Sequence, residues 1–142
     1  MKAKPKWWTS DEWSTPPSLV ASLESEFGHF DLDPACRPET AKAAKFYDRD
    51  VDGLTQPWTG KVFLNPPYSK PAPWLQKAID ETSTGRASLV VALLPASTDT
   101  EWFHKLVKDH AEIRFIKGRV RFHGWLGTPI GTPRQGNLFA IY

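Results

Sequence analysis

Apolar residues first recur at helical spacing at Leu19, Val20, Leu23 and Phe27, after a Thr15-Pro16-Pro17 entry and before Gly28. Threonine can cap, proline is tolerated in a first turn and glycine suits a stop, so the spacing predicts a helix between them. Phe30-Asp31-Leu32 predicts a short strand ending at Asp33-Pro34, and residues 40–46 predict a short helix. Val62-Phe63-Leu64 predicts a strand that Asn65-Pro66-Pro67 must end, because proline brings no N–H to a ladder. Residues 73–82 predict a helix burying Trp74, Ala78 and Ile79. Residues 87–94 are apolar nearly throughout, the pattern of a strand covered on both faces. Thr98-Asp99-Thr100-Glu101 has the form of a capping box, and the helix after it should bury Phe103, Leu106, Val107 and His110. Residues 112–116 and 120–122 predict two strands about a Lys117-Gly118 turn, and residues 137–142 a last one. Strands alternating with helices, closed by a run of strands, predict an α/β fold with a mostly parallel sheet and antiparallel C-terminal strands.

Composition narrows this picture. A chain of 142 residues suits one domain, since two cores of half that size would each be hard to stabilise. The net charge of +2 neither demands nor excludes a nucleic-acid partner. Seven tryptophans are many for this length, and tryptophan serves both cores and base-stacking surfaces. A single cysteine, Cys36, excludes an internal disulfide and an all-cysteine metal site and points to a reducing compartment. The four histidines show no metal-ligand spacing, so no metal is expected. With no membrane-length apolar run and no secretory pattern at the start, the expected location is the cytoplasm.

Ligands of open α/β sheets gather beyond the carboxyl ends of the strands. Asp33-Pro34-Ala35 and Asn65-Pro66-Pro67-Tyr68 both fall there and so belong to one candidate site. Asp33-Pro34 by itself is a common turn. The tetrapeptide is more telling: a chance match in a chain this long has odds on the order of one in a thousand.

Asn65-Pro66-Pro67-Tyr68 resembles the signature of methyltransferases that act on planar amino groups. Trp13-Ser14-Thr15-Pro16, Phe30-Asp31-Leu32-Asp33-Pro34-Ala35, Asp52-Gly53-Leu54, Trp58-Thr59-Gly60 and Gly118-Arg119-Val120-Arg121-Phe122 follow in an order similar to the phage-type DNA N-6-adenine-methyltransferase family. The resemblance implies a Rossmann-like fold that binds S-adenosylmethionine, without a separate target-recognition domain, and transfer of its methyl group to the exocyclic amine of a flipped adenine in double-stranded DNA. It also implies a phage or prophage setting. Asn65, Pro66, Pro67 and Tyr68 are then the catalytic residues. Asn65 Oδ1 and the Pro66 carbonyl would accept the two amine N–H bonds, and Tyr68 would stack on the base. Trp13, Thr15, Pro16, Asp33, Pro34, Ala35, Asp52, Leu54 and Asn65 would bind the cofactor. The chain departs from the broader methyltransferase pattern in having Ala35-Cys36-Arg37 where a glycine-rich turn would stand. It also lacks an obvious second strand with an acidic end. Ser69, Lys70, Lys117, Arg119, Arg121 and Arg134 are the candidate DNA contacts, within or near the loop segments 69–73 and 124–135; a solvated basic face is the plain alternative. Trp13 and Trp58 suit either the core or the cofactor. The same chemistry on RNA or protein glutamine, and a module that binds without turnover, remain open alternatives.

Overall fold

The computed structural model describes residues 3–128, 130 and 133–142. Six strands, β1 (Leu32–Asp33), β2 (Lys45–Phe46), β3 (Gly60–Leu64), β4 (Ala87–Pro95), β5 (Glu112–Phe115) and β6 (Asn137–Ile141), form one sheet in the order β2-β1-β3-β4-β6-β5. The first four are parallel, and β6 runs antiparallel to both β4 and β5. This is the mixed α/β architecture that the alternation of patterns predicts.

Side-chain alternation divides the core in two. Val62, Leu64, Val90, Ala92, Leu94, Leu138 and Ala140 face one side, where α2 (Ala72–Ser83) and α3 (Glu101–Leu106) cover them. Phe63, Val91, Leu93 and Phe139 face the other, under α1 (Pro17–Phe27) with Val20 and Leu23. A period of two through a doubly covered sheet gives the near-continuous apolar run of β4.

Five local expectations are corrected. Residues 40–46 are not a helix: a 3-10 turn at Pro38–Thr40 leads into β2. The Lys42 N–H donates to the Asp33 carboxylate at 3.0 Å and β2 pairs with β1, so tertiary partners draw the segment out. Helix α2 buries Leu75, Ala78 and Glu81, leaving Trp74 and Ile79 half-buried. The stripe is rotated because the Glu81 carboxylate accepts from the Trp58 N–H at 2.9 Å and from the Arg86 guanidinium. The cap of α3 is Thr100, whose Oγ1 accepts from the Phe103 N–H, so the helix starts two residues later than a box at Thr98 would set it. His110 is exposed and Leu106 half-buried. Finally, residues 120–122 join no ladder. Val120 and Phe122 are buried beside α1, so their alternation reflects a segment lying across the sheet face.

The topology positions the site. From β1 the chain steps outward to β2, whereas from β3 it steps the other way to β4. The order therefore reverses between β1 and β3, where open sheets leave a crevice beyond the strand ends.

Candidate active site

A cleft of about 340 Å³ occupies that crevice, bounded by the ends of β1 and β3, the N-terminal segment and the turn at residues 52–53. The Gly53–Thr55 turn docks tightly on the loop after β1. A Cβ on Gly53 would lie 2.0 Å from the Pro34 carbonyl oxygen, so only glycine permits this closure. Asp52, at φ 61, caps the turn by accepting from the Leu54 N–H at 3.1 Å. Trp58 braces it from below, its Nε1–H donating to the Gly53 carbonyl at 2.9 Å.

Asp33 ends β1 and is 2% exposed. Burial pushes its carboxyl up to about 6, against the lowering effect of the Lys42 and Ala35 N–H groups and the Cys36 thiol. Cys36 is itself pushed up by burial and then by the nearby Asp33 charge. Burial draws Lys42 down, with Asp33 opposing. The cleft wall thus carries a buried carboxylate that favours a cationic guest.

Asn65 follows β3 directly. Its Nδ2 donates to the Trp13 carbonyl at 3.2 Å. A carbonyl can only accept, so the contact decides the orientation of the amide and turns Oδ1 the other way. The N-terminal strap that supplies this carbonyl is held at several points. Ser14 and His123 exchange backbone hydrogen bonds, the Asp11 carboxylate accepts from the Ser69 N–H at 2.9 Å, and Glu12 pairs with Arg49. Thr15 is 1% exposed and lines the cleft, yet its Oγ1 has no hydrogen-bond partner. Such an orphan is costly unless a ligand satisfies it.

Trp13, Thr15, Asp33, Pro34, Ala35, Asp52, Asn65 and Pro67 line the cleft together. Pro16, Leu54, Pro66 and Tyr68 stand outside its wall. Tyr68 points into the fold: its hydroxyl donates to the Leu93 carbonyl at 2.9 Å and accepts from Asn137 Nδ2 at 3.2 Å, and burial pushes its ionisation up. Its ring meets Phe122 edge-on at 6.1 Å. Asn137, Arg37, Thr40, Arg49, Phe63 and Trp74 were not expected as site residues from the sequence, although all but Asn137 line the cleft. Only Asn137 carried a signal, as a polar residue opening an apolar strand. It is 4% exposed and also donates to the Leu94 carbonyl, tying the end of β6 to the motif.

Ser69, Lys70, Lys117, Arg119, Arg121 and Arg134 are exposed. The strand directions put residues 65–71, 116–123 and 133–136 at the same sheet edge as the cleft. Of segment 124–135, residues 129, 131 and 132 lie outside the described residues. Trp58 is fully buried and belongs to the core, whereas Trp13 is half-buried at the cleft. Among the described residues, no helix is long and apolar enough to cross a membrane.

Residues 2–138 match the family model for DNA N-6-adenine-methyltransferase (Dam). The chain belongs to this family. A DNA N-6-adenine-methyltransferase of Escherichia phage T1 is 39% identical over 110 residues, which are 75% of this chain and 45% of that protein. One of Haemophilus phage HP1 is 34% identical over 115 residues, 79% of this chain and 66% of the relative. The chain thus spans between about half and two thirds of the length of these curated relatives. A crystal structure from Pyrococcus horikoshii, described as a candidate RNA methyltransferase, matches 97% of this chain and 88% of its own. The TM-score is 0.61 at 15% identity, a likeness of fold alone. The sheet is therefore that of a methyltransferase fold, and the family implies a methyl donor.

Proposed function

We propose that this chain transfers a methyl group from S-adenosylmethionine to the exocyclic N6 of adenine in double-stranded DNA. The observation that carries the reading is the Asn65 amide, whose Nδ2 is committed to the Trp13 carbonyl so that Oδ1 is presented as an acceptor at the end of β3.

The reaction needs such acceptors. The adenine amine is a poor nucleophile because its lone pair is delocalised into the ring. Asn65 Oδ1 and the Pro66 carbonyl take its two N–H bonds and draw the nitrogen towards tetrahedral geometry, localising the pair. Pro66 and Pro67 restrict the backbone, so the second acceptor is held in place before the base arrives. Tyr68 offers a ring face to the base, with its hydroxyl already secured by Leu93 and Asn137. Stacking of this kind is worth about 1–3 kcal/mol. The base reaches these groups only after leaving the duplex. Asn65 is a neutral amide, so the proton finally lost by the amine leaves to water.

When bound, S-adenosylmethionine supplies the electrophilic methyl group. The cleft suits it on two counts: the orphaned Thr15 Oγ1, and the buried Asp33 carboxylate, whose sign suits a ligand that carries a sulfonium and an ammonium. Trp13, Thr15, Pro16, Asp33, Pro34, Ala35, Asp52, Leu54 and Asn65 form or support its site. Lys70, Lys117, Arg119, Arg121 and Arg134, with Ser69, offer donors to DNA phosphates beside it. The chain acts as one catalytic domain in the cytoplasm of the host bacterium.

Two consequences concern the cofactor. Thr15→Val removes a hydroxyl that bonds nothing in the free protein, so stability should hold or rise by about 1 kcal/mol. Affinity for S-adenosylmethionine should fall several-fold, and thermal shift with and without the cofactor reads both. Asp33 supplies a pH signature. Its raised carboxyl makes the folded state bind more protons than the unfolded one between 3.8 and about 6. The free protein therefore loses about 3 kcal/mol of stability as pH rises through that window. A cation beside Asp33 favours the ionised form. Cofactor affinity should be flat above about pH 7 and weaken by up to tenfold per unit below about 6. Calorimetry from pH 5 to 8 tests this, with Asp33→Asn expected to show no such slope. A flat wild-type profile would remove Asp33 from the cationic end of the cofactor.

The activity is tested by incubating the protein with native DNA and S-adenosylmethionine and analysing the nucleosides by mass spectrometry. N6-methyladenine is expected. Label appearing in RNA or protein glutamine but not DNA would reassign the substrate, and cofactor binding without any product would make this a binding module.

A further inference from the structure

Beside the motif, residues 122–128 turn back on themselves. Phe122, where they start, packs at 6.1 Å from the Tyr68 ring and 5.9 Å from that of Trp13. His123 is bridged to Ser14. The turn beyond is closed by the Gly124 N–H donating to the Thr128 carbonyl at 2.7 Å, the Gly127 N–H to Gly124 at 3.0 Å and the Ile130 N–H to Phe122 at 3.1 Å. Trp125 pins it to the N-terminal strap, its ring 5.0 Å from Trp8 and 6.3 Å from Trp7. Those two rings in turn lie under the Arg37 guanidinium, which reaches the cleft.

At the tip of this braced turn stands Leu126, with 59% of its surface exposed and a backbone at φ 58, ψ 27. Both features are unfavourable in the free protein. A leucine is rare in the left-handed region, where glycine or asparagine would sit at ease, and its side chain gains nothing from water. Strain that the surroundings hold in place points to a use for the residue. Four chain steps carry the backbone from Phe122 to Leu126, a reach of at most about 14 Å, and Phe122 packs on the Tyr68 ring, so Leu126 stands on the turn that springs from beside the motif.

We propose that Leu126 is the wedge that enters the DNA stack and fills the gap left by the flipped adenine. This rests on the reading of the chain as a methyltransferase of adenine in duplex DNA. A base drawn into the motif stays tethered to its strand, and the hole it leaves is apolar above and below. Apolar side chains carried on a rigid support fill such holes and offset the lost stacking. Lys4, Lys6, Arg119 and Arg134, on the flanking segments, are exposed and of the sign that phosphates require.

The test uses Leu126→Gly, which relieves the left-handed strain, so the melting temperature should hold or rise and cofactor affinity should not change. The target sequence is first read from DNA methylated by the wild type. Two duplexes are then compared, with the target adenine either paired to thymine or opposite an abasic site, where no partner base resists extrusion. On the paired duplex kcat/KM should fall by about ten- to a hundredfold. On the abasic duplex it should return to within about threefold of wild type, since unpairing no longer needs support. Leu126→Phe, which keeps an apolar wedge, should retain most activity on both. Unchanged activity of Leu126→Gly on the paired duplex, or an equal loss on both, would overturn the wedge while leaving the methyltransferase reading intact. A wild type that methylates no DNA would overturn both.

Discussion

Asn65→Ala is expected to lower methyl transfer by about 10²- to 10³-fold or more, the scale for deleting one preorganised polar group from a reacting centre. The variant should remain folded. Asn65 is half-buried and makes one hydrogen bond, to the Trp13 carbonyl, whose loss should lower stability by about 1 kcal/mol. The amide does two jobs, and a second variant separates them. Asn65→Asp keeps an acceptor oxygen but has no N–H to offer Trp13, so the carboxylate is repelled from the carbonyl that orients the amide. Its activity should fall between those of the alanine variant and the wild type. Single-turnover assays on native DNA, beside calorimetry for the cofactor, distinguish lost chemistry from lost binding. Undiminished turnover in Asn65→Ala would remove the residue from the reaction.

The largest effect on stability is expected from Trp58→Ala. Trp58 is fully buried, and its ring stacks on Trp74 at 6.2 Å and 24° beneath Lys77 Nζ. Its backbone N–H donates to Glu81, a carboxyl that burial would raise but that Arg86, this N–H and Lys77 together hold below its ordinary value. Emptying so large a site should cost about 3–5 kcal/mol. For a domain of this size that is a fall in melting temperature of about 10–20 °C. The consequence reaches the cleft, because the indole Nε1–H holds the Gly53 carbonyl and so the turn that closes on Pro34. Trp58→Phe retains most of the apolar bulk and leaves that carbonyl with only the longer bond from the Gln56 N–H at 3.4 Å, at a cost of about 1 kcal/mol. Thermal melts with and without S-adenosylmethionine should therefore show a modest loss of stability and a larger loss of cofactor response for the phenylalanine variant. A Trp58→Ala protein melting within a degree or two of the wild type would refute the role of Trp58 as the floor of the cleft wall.

Much of the candidate site was legible in the chain because its parts are local. Asn65-Pro66-Pro67-Tyr68 is contiguous, and prolines after an apolar triplet end a strand whatever surrounds them. Asp33-Pro34-Ala35 is likewise bound to the end of a short strand. Residues joined only by the fold stayed hidden. Asn137 lies 69 residues from Tyr68 and meets it only because β6 enters the sheet beside β4. Tyr68 read as a ring for the base to stack on, and the two partners of its hydroxyl, the Leu93 carbonyl and Asn137, come from strands that only the fold brings to it. Thr15 matched a family segment, and its buried, unsatisfied hydroxyl is a property of the closed cleft.

The sequence by itself determined the elements whose pattern is strong within a few residues. The helix between Pro17 and Gly28, the doubly covered strand β4 and the breaks at the two motif turns follow from spacing, apolar run and missing N–H groups. Those are local constraints, and each acts before any distant contact forms. Tertiary structure decided what local propensity left balanced. It drew residues 41–46 out of a helix through the Asp33 carboxylate and paired Lys45–Phe46 as an edge strand, and it rotated α2 so that Glu81 could meet Trp58. It also laid residues 120–122 across α1 rather than into a ladder, because an alternating pattern specifies a buried face without saying what covers it. The reversal of strand order between β1 and β3, which opens the cleft, belongs to no segment. It arises from how the strands are ordered in the sheet, and with it the orientation of Asn65, decided by a carbonyl 52 residues away.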